Sequence, residues 1–109
     1  MSSPEAVVVL CTAPPPGARD LAQKLVEEQL CACVNVIPTV LSTFRWEGRV
    51  ESAEESLLVV KSTVAMAAQL RARIVELHPY DVPEVIELPI TSGLPAYLAW
   101  LRDSVTPPA

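Results

Sequence analysis

The sequence CVNVIPTVLSTFRW (residues 33–46), followed by Glu47-Gly48 and by RVESAEESLLVVKS (residues 49–62), decides the fold of this 109-residue chain. Within residues 33–46, valine and aromatic residues recur at positions of the same parity, which is typical of a β-strand. Glu47-Gly48 lies between two strand-like runs and suits a tight turn with glycine at a positive φ. The stretch predicts a hairpin whose two strands each run for about 12–14 residues, well beyond the usual length.

Three details of this hairpin carry further expectations. Pro38 lacks a backbone donor, so it should mark a bulge or an edge position. The run Leu57-Leu58-Val59-Val60 is apolar at consecutive positions, which predicts that both faces of the strand are covered there. Phe44 and Trp46 should be exposed near the tip, where such a long hairpin invites pairing with another subunit.

The flanking sequence predicts a βαββαβ order with an additional C-terminal helix. The apolar run at residues 6–12 indicates a first strand buried on both faces, and Pro14-Pro15-Pro16-Gly17 ends it. Apolar residues at helical spacing predict a helix over residues 18–30 and a second helix with Thr63 as its N-cap. The apolar stripe of this second helix is Ala67, Leu70, Ile74 and Leu77, and it ends at His78. Residues 85–90 should form a short strand, and Pro95 should lie near the first turn of the last helix. The expected fold is α+β and ferredoxin-like, with an antiparallel sheet, in a single domain over residues 1–109.

Composition limits the possible partners. Half of the residues are hydrophobic and the mean hydropathy is +0.34, which is high for so small a domain and favours burial against another subunit. The net charge of -5 and the lack of a Lys/Arg run argue against nucleic acid and membrane surfaces as partners. Neither a secretory signal nor a membrane span is expected, so the three cysteines are predicted to be free thiols in the cytoplasm.

The segment His78-Pro79-Tyr80-Asp81-Val82-Pro83-Glu84 contains the only histidine of the chain. Its two prolines exclude a helix or a central strand, so it should be a stiff connector. His78 could simply cap the end of the preceding helix, where an imidazole interacts favourably with the helix dipole. It could instead bind a metal ion, with Asp81 or Glu84 fixing the second ring nitrogen.

The cysteines offer the other soft metal ligands. Cys11, at the end of the first strand, is interpreted either as a buried small hydrophobic residue or as a metal-binding thiolate. Cys31-Ala32-Cys33, at a helix-to-strand junction, has a shorter spacing than metal-binding pairs usually show, so the pair is a weak signal for a metal site. Packing is therefore the preferred interpretation of Cys31 and Cys33.

The sequence gives little support to enzyme activity, so the protein is predicted not to be an enzyme. No local pattern supports a Cys–His nucleophile, and a chain with three glycines has no phosphate-binding loop. Acidic residues surround the hairpin turn and are interpreted as a solvated face, with a site for a hard cation as the alternative. These residues are Glu47, Glu51, Glu54 and Glu55.

Several motifs together resemble the CutA family of divalent-cation tolerance proteins. The resemblance covers about residues 6–104 and depends on the order and spacing of the motifs. They are Val7-Val8-Val9-Leu10-Cys11-Thr12-Ala13-Pro14, Leu30-Cys31-Ala32-Cys33-Val34-Asn35-Val36-Ile37-Pro38, Trp46-Glu47-Gly48, Leu58-Val59-Val60-Lys61-Ser62-Thr63, His78-Pro79-Tyr80 with Pro83-Glu84, Leu88-Pro89-Ile90, and Tyr97-Leu98-Ala99-Trp100-Leu101.

The resemblance implies a homotrimer that binds copper or another divalent metal ion weakly, uses no organic cofactor, and serves the response to metal ions. It places the metal ligands at Cys11 and His78. Some relatives have a second histidine where this chain has Leu77, so one imidazole is missing and a Zn²⁺-like tetrahedral shell would lack two ligands. A linear pair of ligands for Cu(I) is easier to complete.

The resemblance leaves two alternative functions open. CutA proteins are similar in fold and assembly to PII signalling proteins, so the chain could be a signalling or small-molecule-binding trimer. PII-type proteins carry a long effector loop where this chain has only Glu47-Gly48. A trimeric scaffold without a ligand of its own is the other alternative.

Overall fold

The structure, a computed structural model, describes residues 5–107. It contains four strands and three helices in the predicted order. The strands are β1 (Ala6–Ala13), β2 (Cys33–Trp46), β3 (Arg49–Thr63) and β4 (Ile86–Ile90), and the helices are α1 (Pro15–Glu27), α2 (Ala67–Leu77) and α3 (Pro95–Asp103). No helix within residues 5–107 has the length and apolar character that crossing a bilayer requires.

The four strands form one antiparallel sheet in the order β2-β3-β1-β4. Val9 of β1 lies between Val60 of β3 and Glu87 of β4, so β1 is a central strand. The prediction of an α+β, ferredoxin-like fold is confirmed, since this order interleaves the two βαβ halves of the chain.

The central hairpin is as long as predicted. β2 has 14 residues and β3 has 15, and the longest dimension of the molecule is 44 Å. Glu47 and Gly48 both have positive φ, 49° and 78°, which is the backbone of a two-residue turn that matches strand twist. Trp46 is 56% exposed at this end, as expected.

Pro38 was predicted to mark a bulge or an edge position, and both are confirmed. β2 is an edge strand, and its register with β3 shifts between Ile37 and Val40, which is a bulge. The Ser56 hydroxyl donates a hydrogen bond to the Pro38 carbonyl at 2.7 Å. This bond gives the carbonyl of the irregular segment a partner that the strand ladder does not supply.

The main core lies between one face of the sheet and the two helices α1 and α2. Buried apolar residues at alternate positions of β1 and β3 pack there against both helices, with Leu25, Leu70 and Ile74 fully buried. We call the opposite side of the sheet the open face. α3 covers one end of it, where Leu101 packs near Ala6 and Ile90.

The prediction that β1 and the Leu57–Val60 run are buried on both faces is wrong for the single chain. Leu58 and Val60 are fully buried, whereas Leu57 and Val59 on the open face are only half-buried. Along β1, buried and half-buried side chains alternate in the same way. The open face of one chain therefore carries apolar side chains that no element of the same chain covers completely.

The first helix begins where predicted but ends earlier. Pro16 and Gly17 are not helical, so the regular part begins at Ala18, and the helix ends at Glu27 rather than at residue 30. Gln29 takes a positive φ of 59°, and the Leu30 amide bonds back to the Leu25 carbonyl at 3.2 Å. This is the usual way to close a helix, but with glutamine in the position that glycine normally takes.

Candidate functional site

The connector from residue 78 to residue 85 lies between α2 and β4 and contains no helix or strand, as predicted. It brings the buried His78 ring to the C-terminal end of β1. The Tyr80 backbone N–H donates to His78 Nδ1 at 3.1 Å, so Nδ1 is the unprotonated nitrogen. Nε2 then carries the proton and donates to the Thr12 carbonyl at 2.7 Å.

These contacts correct two expectations about His78. His78 is the C-cap residue of α2 through its backbone N–H, but its ring bonds a strand carbonyl and does not cap the free carbonyls at the helix end. Neither Asp81 nor Glu84 is bonded to the ring, because its two nitrogens are already partnered by Thr12 and Tyr80. The histidine ties the connector to β1, and this position is set by the tertiary fold.

Cys11 is fully buried next to the same carbonyl. Its Sγ donates to the Thr12 carbonyl oxygen at 3.6 Å, so Cys11 and His78 meet at one atom. Burial raises the pKa of the Cys11 thiol to about 12, and the negative charges of Glu84 and Glu55 add to the effect. The thiol is therefore protonated at neutral pH.

This donor set fits a two-coordinate soft cation better than a tetrahedral one. Residues 5–107 contain no group of three or more His, Cys, Asp or Glu side chains placed to hold a metal ion. Thiolate and imidazole are ligands that suit Cu(I). To bind it beside the Thr12 carbonyl, Cys11 must lose its proton. The proton of His78 must also move from Nε2 to Nδ1, which breaks both hydrogen bonds of the ring.

The other two cysteines are separate from this pair. Cys31 is buried just before β2, and Cys33 is half-buried at the start of that strand. Burial also raises the pKa of the Cys31 thiol to about 12. Cys33 contacts the side-chain oxygen of Asn35 at 3.9 Å. Neither geometry suggests a ligand for an ion at Cys11.

Tyr80 links the connector to the hairpin. Its ring lies against His78 with centroids 4.7 Å apart, and its hydroxyl donates to Glu55 Oε2 at 3.1 Å. Burial and the Glu55 carboxylate both raise the pKa of Tyr80. Beside this pair, the open face carries a cleft of about 750 Å³ that reaches the hairpin residues Phe44 and Trp46.

The interpretation of the hairpin acids as a solvated face is wrong for one of them. Glu47, Glu51 and Glu54 are exposed, but Glu55 is only 6% exposed. Sequence reasoning missed it because its partner, Tyr80, lies on a different element 25 residues away. Glu54 and Glu55 are adjacent in the sequence and carry the same charge. They differ only in that successive side chains of a strand point to opposite faces of the sheet.

Comparison with known proteins identifies the relatives of this chain. Residues 7–104 match the model of the family described as CutA1 divalent ion tolerance protein. The chain is 48% identical over 98 residues to the divalent-cation tolerance protein CutA of Thermus thermophilus, covering 89% of this chain and 95% of that one. It is 44% identical to the chloroplastic protein CutA of Arabidopsis thaliana over 90% of this chain and 54% of the relative.

Solved structures show the same relationship. The divalent cation tolerance protein of Thermus thermophilus superposes with a TM-score of 0.90 at 46% identity, covering 93% of this chain and 99% of that one. A PII-like protein CutA from Nostoc has a TM-score of 0.88 at 32% identity over 92% and 97%. The protein belongs to the CutA1 family of divalent ion tolerance proteins.

Proposed function

We propose that this divalent-cation tolerance protein acts as a cytoplasmic homotrimer that weakly binds copper, as Cu(I), through Cys11 and His78. The observation that carries the proposal is the meeting of both side chains at the Thr12 carbonyl, although 66 positions separate His78 from Thr12. A thiol and an imidazole in one buried place provide two soft ligands. The role is binding rather than catalysis, and it requires no organic cofactor.

The same contacts explain why the binding would be weak. The metal competes with a proton on a thiol whose pKa is raised to about 12. It also competes with the hydrogen bonds that hold the His78 ring. Because the ligands must be deprotonated and released, part of the metal's binding free energy offsets these losses.

Trimer formation is supported by the open face. Apolar residues of all four strands face the same way in the register and are half-buried or exposed in one chain. They are Val8, Leu10, Ile37, Leu57, Val59, Ile86 and Leu88. An apolar face of this kind on a chain with mean hydropathy +0.34 favours burial between copies of the chain.

The metal site is tested by replacing one ligand atom. Cys11→Ser in the reduced protein should weaken Cu(I) binding at least about tenfold, because a hydroxyl is a poor ligand for a soft ion. Competition titration with a Cu(I) chelator gives the affinity. Cys33→Ser removes a thiol away from the site and should leave the affinity unchanged.

A Cys11→Ser variant that binds copper as tightly as the parent protein would contradict the site. His78→Gln tests the second ligand, with circular dichroism as the check on folding, because His78 also holds the connector. If both variants bind Cu(I) with the affinity of the parent protein, Cys11 and His78 do not form the proposed metal site.

A PII-like role in signalling or small-molecule binding is the second candidate. It is favoured by the superposition on the Nostoc protein called PII-like and by the cleft beside Tyr80. The two-residue turn at Glu47-Gly48 leaves no room for an effector loop between β2 and β3. Metal binding therefore remains the first proposal.

A further inference from the structure

Three hydrogen bonds in series hold the connector to the sheet. The His78 ring donates through Nε2 to the Thr12 carbonyl at 2.7 Å. The Tyr80 backbone N–H donates to His78 Nδ1 at 3.1 Å, and the Tyr80 hydroxyl donates to the Glu55 carboxylate, also at 3.1 Å. Tyr80 therefore links a ring nitrogen of His78 to a carboxylate of the hairpin strand β3.

Pro79 makes the contact between His78 and Tyr80 stiff. A residue that precedes proline is restricted to extended backbone, and His78 has φ -80° and ψ 139°. The proline ring also fixes the φ angle of Pro79 itself. Separating Nδ1 from the Tyr80 N–H therefore requires rotation of the imidazole, which also breaks the bond to Thr12, or displacement of Tyr80.

Binding of a metal ion by His78 is incompatible with the Tyr80 contact, whichever ring nitrogen binds. If Nδ1 is the ligand, its lone pair is no longer available to the Tyr80 N–H. If Nε2 is the ligand, the proton of the neutral ring is on Nδ1, and two N–H donors then face each other at hydrogen-bond distance. In both cases the Tyr80 N–H loses its acceptor, so Tyr80 has to move.

The bond between Tyr80 and Glu55 opposes this movement. Glu55 is only 6% exposed in the single chain, and a subunit packed on the open face would exclude water from it further. A buried carboxylate that loses a hydrogen-bond donor costs more free energy than an exposed one. The Tyr80 ring also lies against His78, with centroids 4.7 Å apart. Displacement of Tyr80 from His78 therefore disturbs two contacts besides its own N–H bond.

We propose that Tyr80 is a positioning residue that keeps the copper site closed, and that its bond to Glu55, which we call the latch, sets how often the site opens. This inference concerns the regulation of the copper site and rests on the proposed function. With the latch closed, Thr12 and Tyr80 hold both nitrogens of His78. Opening releases Nδ1 and allows the ring to bind Cu(I) together with Cys11. Glu55 thus lowers the copper affinity without being a ligand.

The latch is tested first in the metal-free, assembled protein. Tyr80→Phe removes the bond to Glu55 and keeps both the aromatic ring and the backbone N–H. Hydrogen exchange of the residue 80 amide reports how often its bond to His78 opens. This exchange should become about tenfold faster, because a hydrogen bond to a charged group contributes at least that factor. Exchange at the parent rate in Tyr80→Phe would overturn the proposal.

Tyr97→Phe is the matched control. It removes the same hydroxyl from α3, which packs at the other end of β1, near Ala6. It should leave both the exchange of the residue 80 amide and the Cu(I) affinity at their parent values. An equal acceleration in Tyr97→Phe would contradict a latch at Tyr80.

The Cu(I) affinity should report the same opening step. In the chelator competition, Tyr80→Phe should bind Cu(I) about tenfold more tightly than the parent protein, because less free energy is needed to release His78. A residue that only supports the fold would give the opposite sign, since its loss loosens the site. Equal or weaker Cu(I) binding by Tyr80→Phe would therefore contradict the latch.

The parent protein provides a further measurement that requires no variant to fold. Loading the reduced protein with Cu(I) should make exchange of the Tyr80 amide at least about tenfold faster, because His78 no longer accepts its proton. Unchanged exchange in the Cu(I)-loaded parent would overturn the proposal.

The copper site and the latch can fail separately. Cu(I) affinity that does not change in Cys11→Ser would refute the copper site, while exchange in the metal-free protein would still measure the latch. Copper binding that depends on Cys11, together with parent exchange at residue 80 in Tyr80→Phe, would refute the latch alone.

Discussion

Replacing Ile37 with glutamate is expected to convert the proposed trimer into monomers. Ile37 lies on the open face, opposite Leu57 of β3, and is 42% exposed in the single chain. A carboxylate there costs little in a monomer, where water reaches it. In a trimer each subunit would bury an unpaired charge against apolar side chains, which costs several kcal/mol per subunit.

The measurement is sedimentation equilibrium. The parent protein should show three times the 11.8 kDa of one chain, and Ile37→Glu should show 11.8 kDa with unchanged circular dichroism. Val75→Glu is the matched control, because Val75 is 48% exposed on the outside of α2 and the charge change is the same. A trimeric Ile37→Glu variant would place the subunit interface elsewhere.

Alkaline pH is expected to destabilise the protein through its two buried thiols. The pKa values of Cys11 and Cys31 are raised from 9.0 to about 12, mainly by burial. Below pH 9 both the native and the unfolded chain keep these protons, so the stabilising effect is complete there. Between pH 9 and 12 the unfolded chain loses them first, and stability should fall by up to about 1.4 kcal/mol per pH unit for each thiol.

Denaturant unfolding at a series of pH values measures this loss. Other groups also titrate above pH 9, so the informative quantity is the difference between variants. The double variant Cys11→Ala, Cys31→Ala should lose less stability than the parent protein between pH 9 and 12. The difference between the two losses should be at most about 4 kcal/mol for each thiol removed. Cys33→Ala keeps both buried thiols and should behave like the parent. Equal pH dependence of the parent and the double variant would contradict the raised pKa values.

The fold could be predicted from the sequence because its main signals are local. Alternation of apolar residues across residues 33–62, with Glu47-Gly48 between the halves, determined the hairpin, and Pro38 marked the bulge. The end of α1 could not be predicted, because Gln29 takes the positive φ that glycine usually adopts after the last turn of a helix. Local patterns fail where a residue adopts an uncommon conformation for tertiary reasons.

The site could be predicted only in part, for a related reason. Cys11 and His78 are conspicuous as soft ligands, but their meeting at Thr12 depends on how the connector packs on β1. The Tyr80–Glu55 bond and the cleft beside it join elements that are distant in the sequence. No periodicity encodes such contacts, so they became visible only in the folded chain.

The proposed function rests on two ligands that are each satisfied without a metal. Cys11 keeps its proton and His78 keeps two hydrogen bonds, so binding requires a local rearrangement. A rigid, preformed site would bind tightly and at any neutral pH. The arrangement here suits a protein that takes up copper only when the free ion is abundant.

X-ray absorption at the copper edge of the Cu(I)-loaded, reduced protein tests this claim most directly. We expect a two-coordinate ion with one sulfur and one imidazole nitrogen, and Cys11→Ser should remove the sulfur from its shell. A copper shell in which the parent protein supplies only oxygen or nitrogen would contradict it. So would a shell whose sulfur survives in Cys11→Ser.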